Sequence, residues 1–107
     1  MSWLSAFLLT QLIEAPIYAW RLKHHPRRWL IALGASSFTH PIVFFLFPVW
    51  LPDDYVRMVL LAEAFAVLIE AAWLSVFQVR HSVSWAVCAN GLSVLIGMMS
   101  RAAFGWP

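Results

Sequence analysis

Glu14, His40, Glu63 and Glu70 are ionisable, yet each stands inside an apolar run: "LLTQLIEAPIY", "SSFTHPIVFF" and, for the last two, "LAEAFAVLIEAAW". Three carboxyls and an imidazole can hold a cation or exchange protons. Two carboxyls that share a buried site rarely both ionise, so without a cation the expected state is a protonated Glu bonded to Glu, His or Ser. With a cation they become anionic ligands. Such an oxygen-rich set with one imidazole suits Zn, Mn, Fe or Ni rather than Cu(I), which favours sulfur. The expected proton- or cation-binding set, and the expected metal ligands, are therefore Glu14, His40, Glu63 and Glu70.

Spacing groups these residues further. Glu63 and Glu70, seven positions apart, share one helix face about 10 Å apart along the axis. Thr10 lies one helical turn before Glu14, Ser36 and Ser37 one turn before His40, and Asn90 and Ser93 on the same face of the last apolar stretch as Gly97, Ser100 and Arg101. That last face is small and polar, which suits close helix packing. Thr10, Ser37, Thr39, Asn90 and Ser93 are the expected supporting polar residues. Pro16 and Pro41 each free the carbonyl four positions earlier, Leu12 and Ser37, within a turn of Glu14 or His40. His40 is expected to point inward at the level of Glu14 and Glu70, within reach of a glutamate, because an unpaired imidazole in hydrocarbon costs several kcal/mol. Thr39, able to bond back to its own helix, tolerates a less polar face.

Known catalytic patterns are missing. The chain has no Glu-x-x-His of di-iron bundles, no His-Glu-x-x-His of zinc proteases and no Ser/His/Asp arrangement. Its one cysteine, Cys88, excludes an intrachain disulfide and a Cys-rich metal site. His24, His25 and His81 sit among loop residues and read as solvated.

The elements that must carry these groups follow from composition. Of 107 residues, 63% are apolar and only 11% charged, against about a quarter charged in a soluble domain. The charges collect between four apolar stretches, roughly Trp3–Trp20, Trp29–Trp50, Tyr55–Gln78 and Ser82–Phe104, each near the length that crosses a bilayer as a helix. Runs such as "IVFFLF" do not alternate as spanning strands do, and hydrocarbon offers the backbone no other partner, so the stretches are helices. The first lacks a basic leader and contains Glu14, unlike a signal peptide.

A shift of 56 residues pairs "LIEA" at Leu12–Ala15 with "LIEA" at Leu68–Ala71. Ungapped, it also pairs His25 with His81, Trp29 with Trp85, Ser37 with Ser93 and Trp50 with Trp106. The expected fold is therefore an all-α integral membrane protein, one domain over 1–107. It comprises four transmembrane helices in two hairpins (about 1–51 and 57–107) related by an approximate two-fold along the membrane normal. Glu14 and Glu70 then face each other or equivalent neighbours.

Arg21, Lys23, Arg27, Arg28 and Arg80 fall in the two loops on one side, which makes that side cytoplasmic and puts both termini outside, in what reads as a bacterial inner membrane. Trp3, Trp50, Tyr55 and Trp106 make an outer aromatic belt, and Trp20, Trp29 and Trp85 an inner one. The basic loop is a topology and headgroup signal rather than a nucleic-acid site. Expected partners are the lipid bilayer and further copies of the chain or a larger membrane complex.

In length, four helices and Glu14 within "LIEA", the chain resembles the small multidrug resistance transporters. That resemblance implies proton exchange for cationic substrates on Glu14. It departs from the family where a glycine-rich third helix is replaced by "VRMVLLAEAFAVLIEAAW". The pattern Glu14-x-Pro16, "THP", "LIEA" and "CANGLS" also resembles small bacterial four-helix membrane proteins, which implies a fold and no chemistry.

Three functions follow as alternatives: an intramembrane proton or metal-cation site for transport or sensing, a structural or assembly subunit locked by its Glu/His network, and an intramembrane metalloenzyme. On the expected topology, fluorescent proteins that mature only in the cytoplasm stay dark when fused to either terminus; a bright fusion reverses the orientation.

Overall fold

Four long helices and one short one carry the described residues, 3–105, of the computed structural model: α1 (Trp3–Arg21), α2 (Arg28–Phe45), α3 (Phe47–Trp50), α4 (Tyr55–Val76) and α5 (Ser82–Phe104). No strand occurs among the described residues. α1 packs on α2 and α5, and α4 packs on the same two, so the long helices form a ring with α1 opposite α4. The side chains at their contacts are small. Ala15, Ala19, Ala32, Ala35, Ala62, Ala66, Ala71, Ala86 and Ala89 are all buried, which lets the helix backbones approach closely.

The apolar stretch expected to be one helix over Trp29–Trp50 is interrupted at Leu46. Pro48, in the first turn of α3, has no N–H with which to extend the ladder of α2, and a new short helix begins there. Pro16 and Pro41 instead lie inside α1 and α2. Asp54 caps α4 by accepting from the Arg57 backbone N–H at 3.0 Å. The other end of α4 closes in a Schellman turn: the Val79 N–H donates to the Leu74 carbonyl and the Gln78 N–H to that of Ser75. Gln78 adopts the left-handed conformation this turn needs, at φ 61°. Val79 and Leu74 are both buried in the core, the apolar contact that accompanies the motif.

Three spans among the described residues are long and apolar enough to cross a membrane: Arg28–Trp50, Tyr55–Val76 and Ser82–Phe104. α1 has the length, but Gln11 and Glu14 dilute its apolar character, so three such spans stand where the sequence predicted four. The outward surface is apolar too, with Leu12, Leu30, Phe38, Val49 and Leu68 exposed. These features are compatible with a small membrane protein.

Burial matches between the first helices at one sequence offset and between the second helices at another. Glu14, Ala15 and Tyr18, all buried, correspond after 56 residues to Glu70, Ala71 and Leu74, also buried. The same shift carries the buried face of α2 onto Val87, Cys88, Gly91, Leu92 and Leu95, which are all exposed. A shift of 54 instead carries Ala32, Ala35 and Ser36 onto buried Ala86, Ala89 and Asn90, and Arg28 onto Ser82, the first residues of α2 and α5. Two residues are lost between the helices: α4 ends one position earlier than α1 in the 56-residue register, and the loop after it has five residues against six. The ungapped pairs Trp29/Trp85 and Ser37/Ser93 are therefore not equivalent, and Trp106 lies outside the described residues.

One close approach is set by glycine. A Cβ on Gly34 would come within 2.9 Å of Trp73 Cζ2, and the indole is held by its Nε1–H, which donates to the Ile31 carbonyl at 3.0 Å. The pinned ring cannot swing aside. Gly34→Ala is therefore expected to destabilise the fold by about 1–3 kcal/mol despite alanine's better helix propensity. Thermal unfolding of purified protein checks this, and Trp73→Leu in the same chain should remove the clash.

Candidate functional site

Glu70, on α4 and 1% exposed, receives a hydrogen bond from each of the other long helices. The Tyr18 hydroxyl of α1 donates to Oε1 at 2.6 Å, the Thr39 hydroxyl of α2 to Oε2 at 3.0 Å, and the Asn90 amide of α5 to Oε1 at 3.1 Å. Asn90 is itself oriented by donating to the Ala86 carbonyl one turn back, at 2.9 Å. Three donors on a carboxylate make a charge-accepting cradle.

Glu14 of α1 is as deeply buried, at 1% exposed, but far less well served. The Ser93 hydroxyl of α5 lies 2.6 Å from its Oε2 and 3.0 Å from the Asn90 carbonyl. A hydroxyl has one hydrogen. Either Ser93 donates to an ionised Glu14, or a protonated Glu14 donates to Ser93, which passes its own hydrogen to the carbonyl. Glu14 Oε1 is buried with no donor, and the two carboxyls lie within hydrogen-bonding reach of each other.

The pair forms the floor of a cavity of about 500 Å³ that runs between the four long helices. Its walls are mainly apolar, among them Leu9, Val43, Val59, Ala62, Ala66 and Val94, and it extends toward Pro48, Tyr55 and Arg101 at one end of the bundle. Three further buried polar atoms on lining residues have no partner: Ser36 Oγ, His40 Nδ1 and Glu63 Oε2. Glu63 thus stands in the cavity wall two helical turns from Glu70. No ion pair reaches any of these carboxyls among the described residues.

Several expectations need correction. His40 lines the cavity, but no hydrogen bond or ion pair joins it to Glu14, Glu63 or Glu70. Its ring packs among Trp3, Phe7 and Phe44, with centroids 6.3, 5.4 and 6.2 Å away. Aromatic contacts satisfy the apolar body of the imidazole and hold it to the side of the carboxyl pair. Among the described residues no three His, Cys, Asp or Glu side chains come together as metal ligands, so the expected four-residue metal set does not converge. Thr39, one of the expected supporting polar residues, points inward and donates to Glu70. Ser37 is exposed, donating to the Leu33 carbonyl and accepting from the Gln11 amide at 3.2 Å; its neighbour Ser36 takes the inward position. Gly97 lines the cavity with open space around it instead of packing against a helix. Thr10, Asn90 and Ser93 do line the cavity.

Tyr18 was not among the expected site residues although it is fully buried. The signal was present: Tyr18 follows Glu14 by four positions and so shares its face. Gln11, three positions before Glu14, shares that face as well and ties α1 to α2 through the Leu33 carbonyl at 3.0 Å. The chain matches no protein-family model, no characterised protein sequence and no solved structure.

The unequal service of the two carboxyls gives a stability test. Glu70→Leu takes the sole acceptor from Tyr18 and one acceptor from the Asn90 amide, and leaves Thr39 only the Ser36 carbonyl at 3.4 Å. Glu14→Leu affects Ser93 alone, which keeps the Asn90 carbonyl at 3.0 Å. Glu70→Leu should therefore be the more damaging by at least about 2 kcal/mol, read as the difference in thermal unfolding between the two variants. Equal losses would mean that the donor set contributes nothing particular.

Proposed function

We propose that this chain is a membrane-inserted four-helix bundle whose Glu14–Glu70 pair binds a proton or a small organic cation from the cavity above it, for transport or sensing. One observation carries the reading. Glu14 Oε1 is buried without a donor beside a second buried carboxyl, and two acceptor-only groups stay together only with positive charge between them. A shared proton supplies that charge, and an ammonium ion entering from the cavity can replace it. The two hydrogen-bond arrangements open to Ser93 support the same exchange, since they accommodate Glu14 with and without its proton.

The two hairpins, in this proposal, are related by an approximate two-fold, with an offset of 56 residues in the first helices and 54 in the second. In support, α1–α5 and α2–α4 are corresponding contacts in the ring. Thr39 donating to Glu70 also has its counterpart 54 positions on, in Ser93 beside Glu14. Insertion in a bacterial inner membrane with both termini on the non-cytoplasmic side, and assembly as a homo-oligomer or in a larger complex, belong to the same proposal. The apolar exterior supports the first of these.

A second reading has its own observation. Glu70 joins α1, α2 and α5 at one point, which fits a hydrogen-bonded lock in a structural or assembly subunit. Glu14→Gln separates the readings, because the amide keeps hydrogen bonding but cannot exchange a proton. In purified protein, adding methylammonium should release protons from the wild type, detected with a soluble pH dye, and release none from Glu14→Gln. If proton release is unchanged in Glu14→Gln, the cation-exchange reading fails and the lock remains.

A further inference from the structure

The carboxyl pair is only one end of the cavity. Glu63 faces the same space with a buried Oε2 that no donor reaches. It stands seven residues from Glu70 on the same face of α4, an axial separation of roughly 10 Å. The wall between the two levels is mainly apolar, with Ala66 of α4 buried there and Val94 on α5, and Thr10 and His40 are its polar members. The cavity thus offers acceptors at the Glu14–Glu70 floor and a further acceptor part-way along its wall at Glu63, with mainly apolar side chains between. We propose that the ligand is a linear aliphatic diamine or polyamine, with one ammonium at Glu14 and Glu70 and a second at Glu63. This rests on the cation-binding reading of the pair and adds a second anchor to it.

Simpler occupants fit the cavity less well. A small metal ion would need several ligands at one point, and the described residues bring no three together. A monoamine leaves Glu63 without a counter-charge. An anion would meet three carboxyls. A two-headed cation satisfies both unpartnered carboxyl oxygens at once, and its methylene chain matches the mainly apolar wall.

Arg101 limits the length. It lines the cavity eleven residues beyond Asn90, whose amide is at the level of Glu70. Its Cα is therefore roughly 16 Å along the axis from the floor, past Glu63. A diamine much longer than the floor-to-Glu63 distance brings its second ammonium toward the guanidinium. Affinity should consequently pass through a maximum with chain length and then fall.

The test is a binding series on the purified full chain in detergent. α,ω-Diamines from 1,3-diaminopropane to 1,10-diaminodecane are compared with n-alkylamines of equal length by thermal stabilisation and calorimetry. With C–C bonds of about 1.5 Å, an extended diamine of about six to eight carbons spans the gap. The expected result is tightest binding in that range, and weaker binding for every matched monoamine. Glu63→Gln should lower the affinity for the best diamine about tenfold or more while leaving monoamine binding unchanged. Should that variant fail to fold, the chain-length profile of the wild type decides alone. A flat or steadily rising profile, with monoamines equal to diamines, overturns the two-anchor ligand and leaves the single-cation reading standing. If no amine stabilises the wild type and none releases protons from it, both readings fall together.

Discussion

Three hydrogen bonds converge on one buried carboxyl, and the rest of the bundle is arranged around them. Glu70 draws its donors from Tyr18, Thr39 and Asn90, one on each of the other long helices. A charge or strong dipole removed from water is tolerated only when its hydrogen-bonding capacity is filled, so each of those helices must present its donor at one depth and one rotation. The condition fixes helix register in a way apolar packing alone does not. Alanine contacts tolerate small slides between helices, whereas a hydroxyl 2.6 Å from a carboxyl oxygen does not.

The bundle reaches that geometry because its centre is built from alanine. Ala15 and Ala71 each follow one of the paired carboxyls, and Ala86 and Ala89 flank the turn that ends in Asn90. Larger residues at these places would hold the helices apart and leave the donors out of reach. Nearer the α4–α5 turn, the Schellman motif and the Ser75–Ser82 hydroxyl bond at 2.8 Å close the second hairpin tightly. That closure sets the 54-residue offset and brings Ser93 beside Glu14.

The two carboxyls are chemically unequal because positions that match in sequence carry different side chains. Tyr18 donates to Glu70, and the residue standing in the matching place near Glu14 is Leu74, which cannot donate. Asn90 donates to Glu70, and its 54-residue counterpart Ser36 leaves its hydroxyl unpartnered. One glutamate is thereby held in place and the other left short of donors. Under the proposed function that inequality divides the labour: Glu70 fixes the frame, and Glu14, facing an open cavity, is the group free to trade a proton for a cation.

The residue types and their periodicity were enough to specify helices, the seven-residue spacing of Glu63 and Glu70, and the shared "LIEA" that aligns Glu14 with Glu70. These depend on local chain geometry, in which position in sequence converts directly to angle and height along a helix. Rotation of one helix against another is not local, and there the sequence was ambiguous. Ser36 and Ser37 are adjacent, and only packing chose Ser36 for the cavity. Thr39 and His40 are adjacent as well and both line the cavity, but only Thr39 reaches Glu70, while the ring of His40 lies against Trp3, Phe7 and Phe44. The two-residue difference between the connections, one residue at the helix end and one in the loop, altered the pairing of α2 with α5 without disturbing any local motif. Which polar groups meet was decided by the tertiary structure, since a hydrogen bond between helices depends on a rotation that many distant contacts set together.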